Sequence, residues 1–104
     1  MQDTSQADET PGGLETTVVI RDELGLHARP AARLAQAAQQ FASDITLEYD
    51  DMTVDAKSIL DILSLAAGRG ASLKLRCNGT DADTAAKTLE ELFSREGGIF
   101  ARNG

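Results

Sequence analysis

The sequence predicts a single α+β domain in which three helices cover one face of a four-stranded antiparallel sheet, with elements in the order βαββαβα. Three observations point there. Four short segments alternate apolar with polar residues, so each strand offers one face to a core and one to water. Three other segments carry apolar residues at helical spacing. A sheet that is wet on one side throughout is antiparallel, and its helices stack on the other side.

The first strand starts at Leu14, where Leu14, Thr16, Val18 and Ile20 point one way and the β-branched Thr17 and Val19 favour an extended backbone. After a polar link ending at Gly25, Ala31, Leu34, Ala35, Ala38 and Phe41 form the stripe of an amphipathic helix, with Arg33, Gln36, Gln39 and Gln40 outside it. Pro30 falls in the first turn, where a missing N–H costs little, so this helix begins close to His27. Ile45, Leu47 and Tyr49, then Met52, Val54 and Ala56 after a turn near Asp51, read as a hairpin. A short second helix runs from Ser58 to Ala67 and is stopped by Gly68 or Gly70. Leu73, Leu75 and Cys77 alternate with Ser72, Lys74 and Arg76 in the fourth strand. Asn78-Gly79 makes a turn, Thr80 or Asp81 can cap, and Ala85, Leu89, Leu92 and Phe93 line a last helix ending near Gly97.

Composition narrows the function. Of 104 residues, 17 are acidic and 10 basic, a formal charge of −7 that repels polyanions and argues against nucleic acid as a partner. Residues 1–13 lack any periodic apolar pattern and read as a disordered acidic arm. Removing its acids Asp3, Asp8 and Glu9 leaves 14 acids against 10 bases, so the rest of the chain, a body at 14–97 followed by a tail at 98–104, carries about −4. No apolar stretch approaches the roughly 20 residues that span a bilayer, and no signal-peptide pattern opens the chain, so the expected location is the cytoplasm without membrane insertion. A lone Cys77 forms no internal disulfide, and with a single His no metal site and no cofactor are expected.

Gly25-Leu26-His27-Ala28-Arg29-Pro30-Ala31 is the densest chemical cluster: a flexible Gly, an imidazole, a permanent cation and a helix start within seven positions. A helix N-terminus has free N–H donors and a positive dipole end, so a phosphoryl group on His27 could accept bonds from the backbone of Ala28 and Arg29. Pro30 cannot donate. Neutral imidazole attacks phosphorus through a ring nitrogen, and the Arg29 charge would offset the negative charge that develops on the transferred group. The plainer alternative makes His27 a helix cap and Arg29 a solvated surface charge, and spacing alone leaves both open.

The run from Gly25 to Ala31, followed by Val54-Asp55-Ala56-Lys57-Ser58-Ile59-Leu60, Ser64-Leu65 and Gly70, resembles HPr, the histidine-containing phosphocarrier family of the phosphoenolpyruvate-dependent phosphotransferase system. The resemblance covers about Leu14 to Gly97 in motif order and spacing. It implies an HPr-like open-faced β-sandwich, phosphorylation at His27, and an Arg29 that steadies the phosphoryl group. It also implies enzyme I as donor and a sugar-specific or nitrogen-branch protein as acceptor. Such a chain is a monomeric relay intermediate in sugar transport or nitrogen signalling rather than a turnover enzyme.

Ser58 matches the position that an HPr kinase/phosphorylase modifies in many family members, and is a candidate regulatory phosphosite by that resemblance. Ser58 and Asp61 also have the spacing of a capping box, with the hydroxyl accepting from the Asp61 N–H and the carboxylate reaching back to the Ser58 N–H. A carboxylate at Asp61 would repel a phosphate on Ser58. The helix after Ser58 is too apolar for one stripe: Ile62, Leu65 and Ala66 make a core face, while Ile59, Leu60 and Leu63 extend to a second. In HPr proteins that second face docks on enzyme I and on acceptors, which assigns Ile59, Leu60 and Leu63 to partner contact; the alternative is a wide core stripe. A regulatory binding protein, whose phosphorylation state selects its partners, is the competing function. A hydrolase is a third, but the sequence supplies no general base for water.

Overall fold

The computed structural model describes residues 13–94. In chain order the elements are β1 (Gly13–Val19), α1 (Ala28–Ala38), β2 (Asp44–Tyr49), β3 (Met52–Asp55), α2 (Ile59–Ser64), β4 (Ser72–Asn78) and α3 (Ala82–Ser94). The order βαββαβα is the expected one. Gly13, assigned to the arm by sequence, pairs with Asn78 as the first residue of β1. The rest of the arm, the tail at 98–104 and the helix end near Gly97 lie outside the described residues.

The strands lie in the order β1-β4-β2-β3, and every neighbouring pair is antiparallel. Register places Leu47 opposite Leu75 and Val54, Ile45 opposite Cys77, and Val18 opposite Leu73, so one face is aliphatic from edge to edge. All seven of those side chains are buried. The other face belongs to water. There Arg76 bonds Glu15 at 2.9 Å and Glu48 at 2.8 Å, and Lys74 stands 3.6 Å from Glu15. The Arg76 hydrogen bond holds the Glu15 carboxyl below the usual carboxylate range, although exposed pairs of this kind contribute little to stability.

Packing of α3 on β1 and β4, and of α1 against α2 and α3, closes the apolar face. α1 buries Pro30, Ala31, Leu34, Ala35 and Ala38, the predicted stripe led by a proline. Phe41 falls beyond the helix end and is only half-buried. The β2–β3 hairpin turns through Asp50 (φ 54°) and Asp51 (φ 70°), two consecutive left-handed residues as a two-residue hairpin requires. Cys77 is 1% exposed, and burial pushes its thiol up to about 11, so it stays a packed, protonated thiol.

One local expectation is corrected and another is extended. α2 ends at Ser64 rather than Ala67, because Ala66 turns left-handed (φ 51°) and the chain leaves the helix axis before either glycine. Ala66 is therefore exposed, and Ala67 takes the buried place instead. Asp81, expected as a possible helix cap, stands just before α3 with its carbonyl accepting from Ala85 at 2.9 Å, while its carboxylate turns to the adjoining link between α1 and β2. It accepts the Ala42 and Ser43 N–H groups at 2.8 and 2.9 Å and the Ser43 hydroxyl. That hydroxyl belongs to a buried side chain, which must find a partner. The bond from Ser43 is the main reason the Asp81 carboxyl lies below its ordinary range.

Candidate functional site

The link from β1 to α1 is pinned along the connection between α2 and β4. Ile20 donates to the Ala71 carbonyl at 3.0 Å and accepts from Gly70 at 2.8 Å. Leu26 donates to the Ala67 carbonyl at 3.0 Å. Between these anchors Gly25 adopts φ +76°, with its backbone so close to the neighbouring segment that a Cβ would stand 2.7 Å from Ala67 O and 2.9 Å from Gly68 Cα. Only glycine fits both the dihedral and the gap.

This route delivers His27 to the N-cap of α1, with extended dihedrals (φ −97°, ψ −174°) and its carbonyl accepting from Ala31 at 3.0 Å. Its side chain makes no capping bond, which overturns the alternative in which the imidazole serves as the cap. The first N–H groups of a helix have no intrahelical partner, and Pro30 has no N–H, so Ala28 and Arg29 supply the donors there. No acidic residue occupies the first turn of α1, whereas Asp61 and Asp83 occupy those of α2 and α3. Arg29 is exposed and adds a full positive charge. A half-exposed imidazole thus stands at a helix start with two backbone donors, and a cation follows two residues on, an arrangement suited to an anion built on the ring.

Asp22 completes the loop, and the sequence reading missed it. Its Oδ1 accepts the Leu24 N–H at 2.9 Å and stands 3.4 Å from His27 Nε2. An acid two residues before the N–H it accepts is a recognisable turn signal. What spacing could not show is that the turn folds the carboxylate back onto the imidazole.

Ser58 is the N-cap of α2, and its hydroxyl accepts from the Asp61 N–H at 3.2 Å. The reciprocal half of the expected capping box is absent. Ser58 N–H donates to the Asp55 carbonyl at 3.1 Å, and the Asp61 carboxylate accepts from the Asp55 N–H at 3.2 Å. An Asp side chain is one methylene shorter than the Glu of the full motif. Lys57 Nζ donates to the Phe41 carbonyl at 2.7 Å, and Gln39 donates to the Lys57 carbonyl at 2.8 Å, tying the end of α1 to the start of α2.

The two-faced character of α2 is partly as expected. Ile62 and Leu65 are buried, Leu60 is 78% exposed and Ile59 is 38% exposed. Leu63 is half-buried and packs against the core, so it belongs to both faces. Among the described residues, no group of three or more His, Cys, Asp or Glu is placed to hold a metal ion, and no helix is long and apolar enough to cross a membrane.

Residues 14–95 match the family model described as PTS HPr component phosphorylation site. The fold resembles that of the phosphocarrier protein HPr from Bacillus anthracis str. Ames at 40% identity, with a TM-score of 0.74 over 78% of this chain and 96% of that one. HPr from Thermoanaerobacter tengcongensis shares 44% identity, with a TM-score of 0.73 over 76% and 89%. The Bacillus subtilis catabolite repression protein Crh, described as a domain-swapped dimer, shares 43% identity, with a TM-score of 0.60 over 69% and 83%. A match across nearly all of the described residues, with the same sheet and helices, leaves one conclusion: the chain belongs to the HPr family, the phosphocarriers of phosphotransferase systems.

Proposed function

We propose that the chain takes a phosphoryl group from phospho-enzyme I onto His27 and passes it to an acceptor protein of a sugar or nitrogen-related phosphotransferase system. The observation that carries this reading is a half-exposed imidazole at the start of α1 whose side chain does no capping, in a first turn free of acids. A ring nitrogen attacks phosphorus as the donor side chain's bond to it breaks and takes the electron pair, the group settles beside the Ala28 and Arg29 N–H donors, and Arg29 offsets its charge. Charge-assisted bonds of this type are worth about 1.5–3 kcal/mol each and steady the group, while the N–P bond holds it until an acceptor nucleophile breaks that bond. The chain is regenerated when an acceptor removes the phosphoryl group, so it acts as a relay and not as a turnover enzyme. Incubation with phosphoenolpyruvate and enzyme I tests this: one acid-labile phosphate per chain supports it, and continuous release of inorganic phosphate without an adduct refutes it.

Donor and acceptor meet the exposed face of α2, where Ile59, Leu60 and the outer edge of Leu63 offer apolar surface. Leu60→Asp is expected to slow transfer from enzyme I at least tenfold, because a buried interfacial carboxylate is costly. Its thermal midpoint should stay within about 2 °C of the parent, since a side chain 78% exposed lends little to the fold. A large stability loss would place Leu60 in the core and remove it from the docking face.

The second reading, a regulatory protein whose phosphorylation state selects partners, draws on the likeness to the catabolite repression protein Crh. Ser58 would be its phosphosite for an HPr kinase/phosphorylase, at the start of a helix but already engaged as a cap and faced by Asp61. Intact-mass measurement after exposure to that kinase and ATP decides. Added phosphate supports the switch, and none leaves the hydroxyl with the cap alone. For both readings we propose a cytoplasmic monomer, against the dimers described for Crh and for an HPr of Thermoanaerobacter tengcongensis, and the mass of the chain in solution decides.

A further inference from the structure

Asp22 is fixed by its own turn before it meets the histidine. Its side chain accepts the Leu24 N–H at 2.9 Å, and its carbonyl accepts the Gly25 N–H at 3.0 Å. At the far end of the same loop, His27 N–H is bonded to the Gly25 carbonyl at 3.1 Å. Between these restraints Asp22 Oδ1 lies 3.4 Å from His27 Nε2, with the two side chains 21% and 36% exposed. A ring nitrogen facing a carboxylate favours carrying a proton, because an N–H is attracted to the anion and a bare lone pair is repelled by it.

We infer that Asp22 is a positioning residue for phosphoryl transfer: it holds the His27 ring as the Nε2–H tautomer and leaves the Nδ1 lone pair as the nucleophile. This rests on the reading of His27 as the acceptor. In the step itself, Nδ1 bonds to phosphorus while the bond from phosphorus to the donor's phosphorylated side chain breaks, its electron pair departing with that side chain. The Nε2 proton stays on His27. The ring then carries a positive charge facing the Asp22 carboxylate, while the negative phosphoryl group sits on the other nitrogen. Return of the group to an acceptor reverses these changes. A carboxylate that orients an imidazole from behind is a recurrent arrangement, because it fixes the tautomer and offsets the charge the ring acquires.

The test uses the full chain, unphosphorylated, at about pH 8, above the ordinary imidazole range. Nitrogen NMR of the parent should show His27 as one tautomer, with the proton on Nε2. In Asp22→Ala the ring shifts should move toward those of free neutral imidazole, and phosphorylation by enzyme I should slow about tenfold. Asp22→Asn keeps an oxygen for the Leu24 N–H and removes only the charge, so it should fold as the parent does and transfer at an intermediate rate. Ring shifts or a transfer rate in Asp22→Ala equal to the parent's would overturn the assignment. Should the parent itself take no phosphate on His27, the functional reading falls first, and the ring shifts still decide whether Asp22 holds the imidazole.

Discussion

His27→Ala takes up no acid-labile phosphate from phosphoenolpyruvate and enzyme I, by intact mass or phosphorus NMR, under conditions that load the parent fully. The expectation is absolute because the sequence holds one histidine. The chain's one thiol, Cys77, is 1% exposed, with its pKa pushed up to about 11 by burial first and by the Asp81 and Glu90 charges second. It offers neither access nor thiolate. Stability separates this loss from a folding defect. The imidazole makes no capping bond and is 36% exposed, so its removal should cost no more than about 0.5 kcal/mol. Stoichiometric phosphate in the variant would move the acceptor elsewhere and dismantle the proposed function.

Parts of this architecture are legible in sequence for a definite reason. A strand with one buried face repeats every two residues, and Ile45 with Leu47, or Leu73 with Leu75 and Cys77, can be buried together only one way. The start of α1 is equally local: Gly25 gives the bend, Pro30 the first turn, and His27 falls at the N-cap between them. What spacing missed was non-local. Asp81 reaches Ser43, 38 positions away, because a buried hydroxyl there needs a partner, and nothing near Asp81 announces that demand. Ala66 takes a left-handed dihedral that local rules reserve for glycine, so the end of α2 was placed too late. Asp22 stood in plain view, but its contact with His27 depends on where the loop is pinned, and the pins are Ala67 and Ala71 on another segment.

Those pins give the second large effect. Gly25→Ala should lower stability by about 2–4 kcal/mol, seen as an earlier urea midpoint and a thermal midpoint lower by roughly 10–20 °C. Two independent penalties add. An L-residue at φ +76° costs about 1–2 kcal/mol by itself. The new Cβ also meets Ala67 O at 2.7 Å and Gly68 Cα at 2.9 Å, both backbone atoms that no rotamer change can move aside. To relieve that contact, the loop must lift and stretch the Leu26 N–H bond to Ala67, and the lift is transmitted one residue on to His27. Loading by enzyme I should therefore slow even in the fraction that remains folded. Gly68→Ala is the control on the facing side of the gap: nothing lies within 4 Å of its Cβ, so it should change stability by no more than about 0.5 kcal/mol. If the two variants prove equally mild, the loop is not clamped at Gly25, and the position of His27 must come from the start of α1 alone.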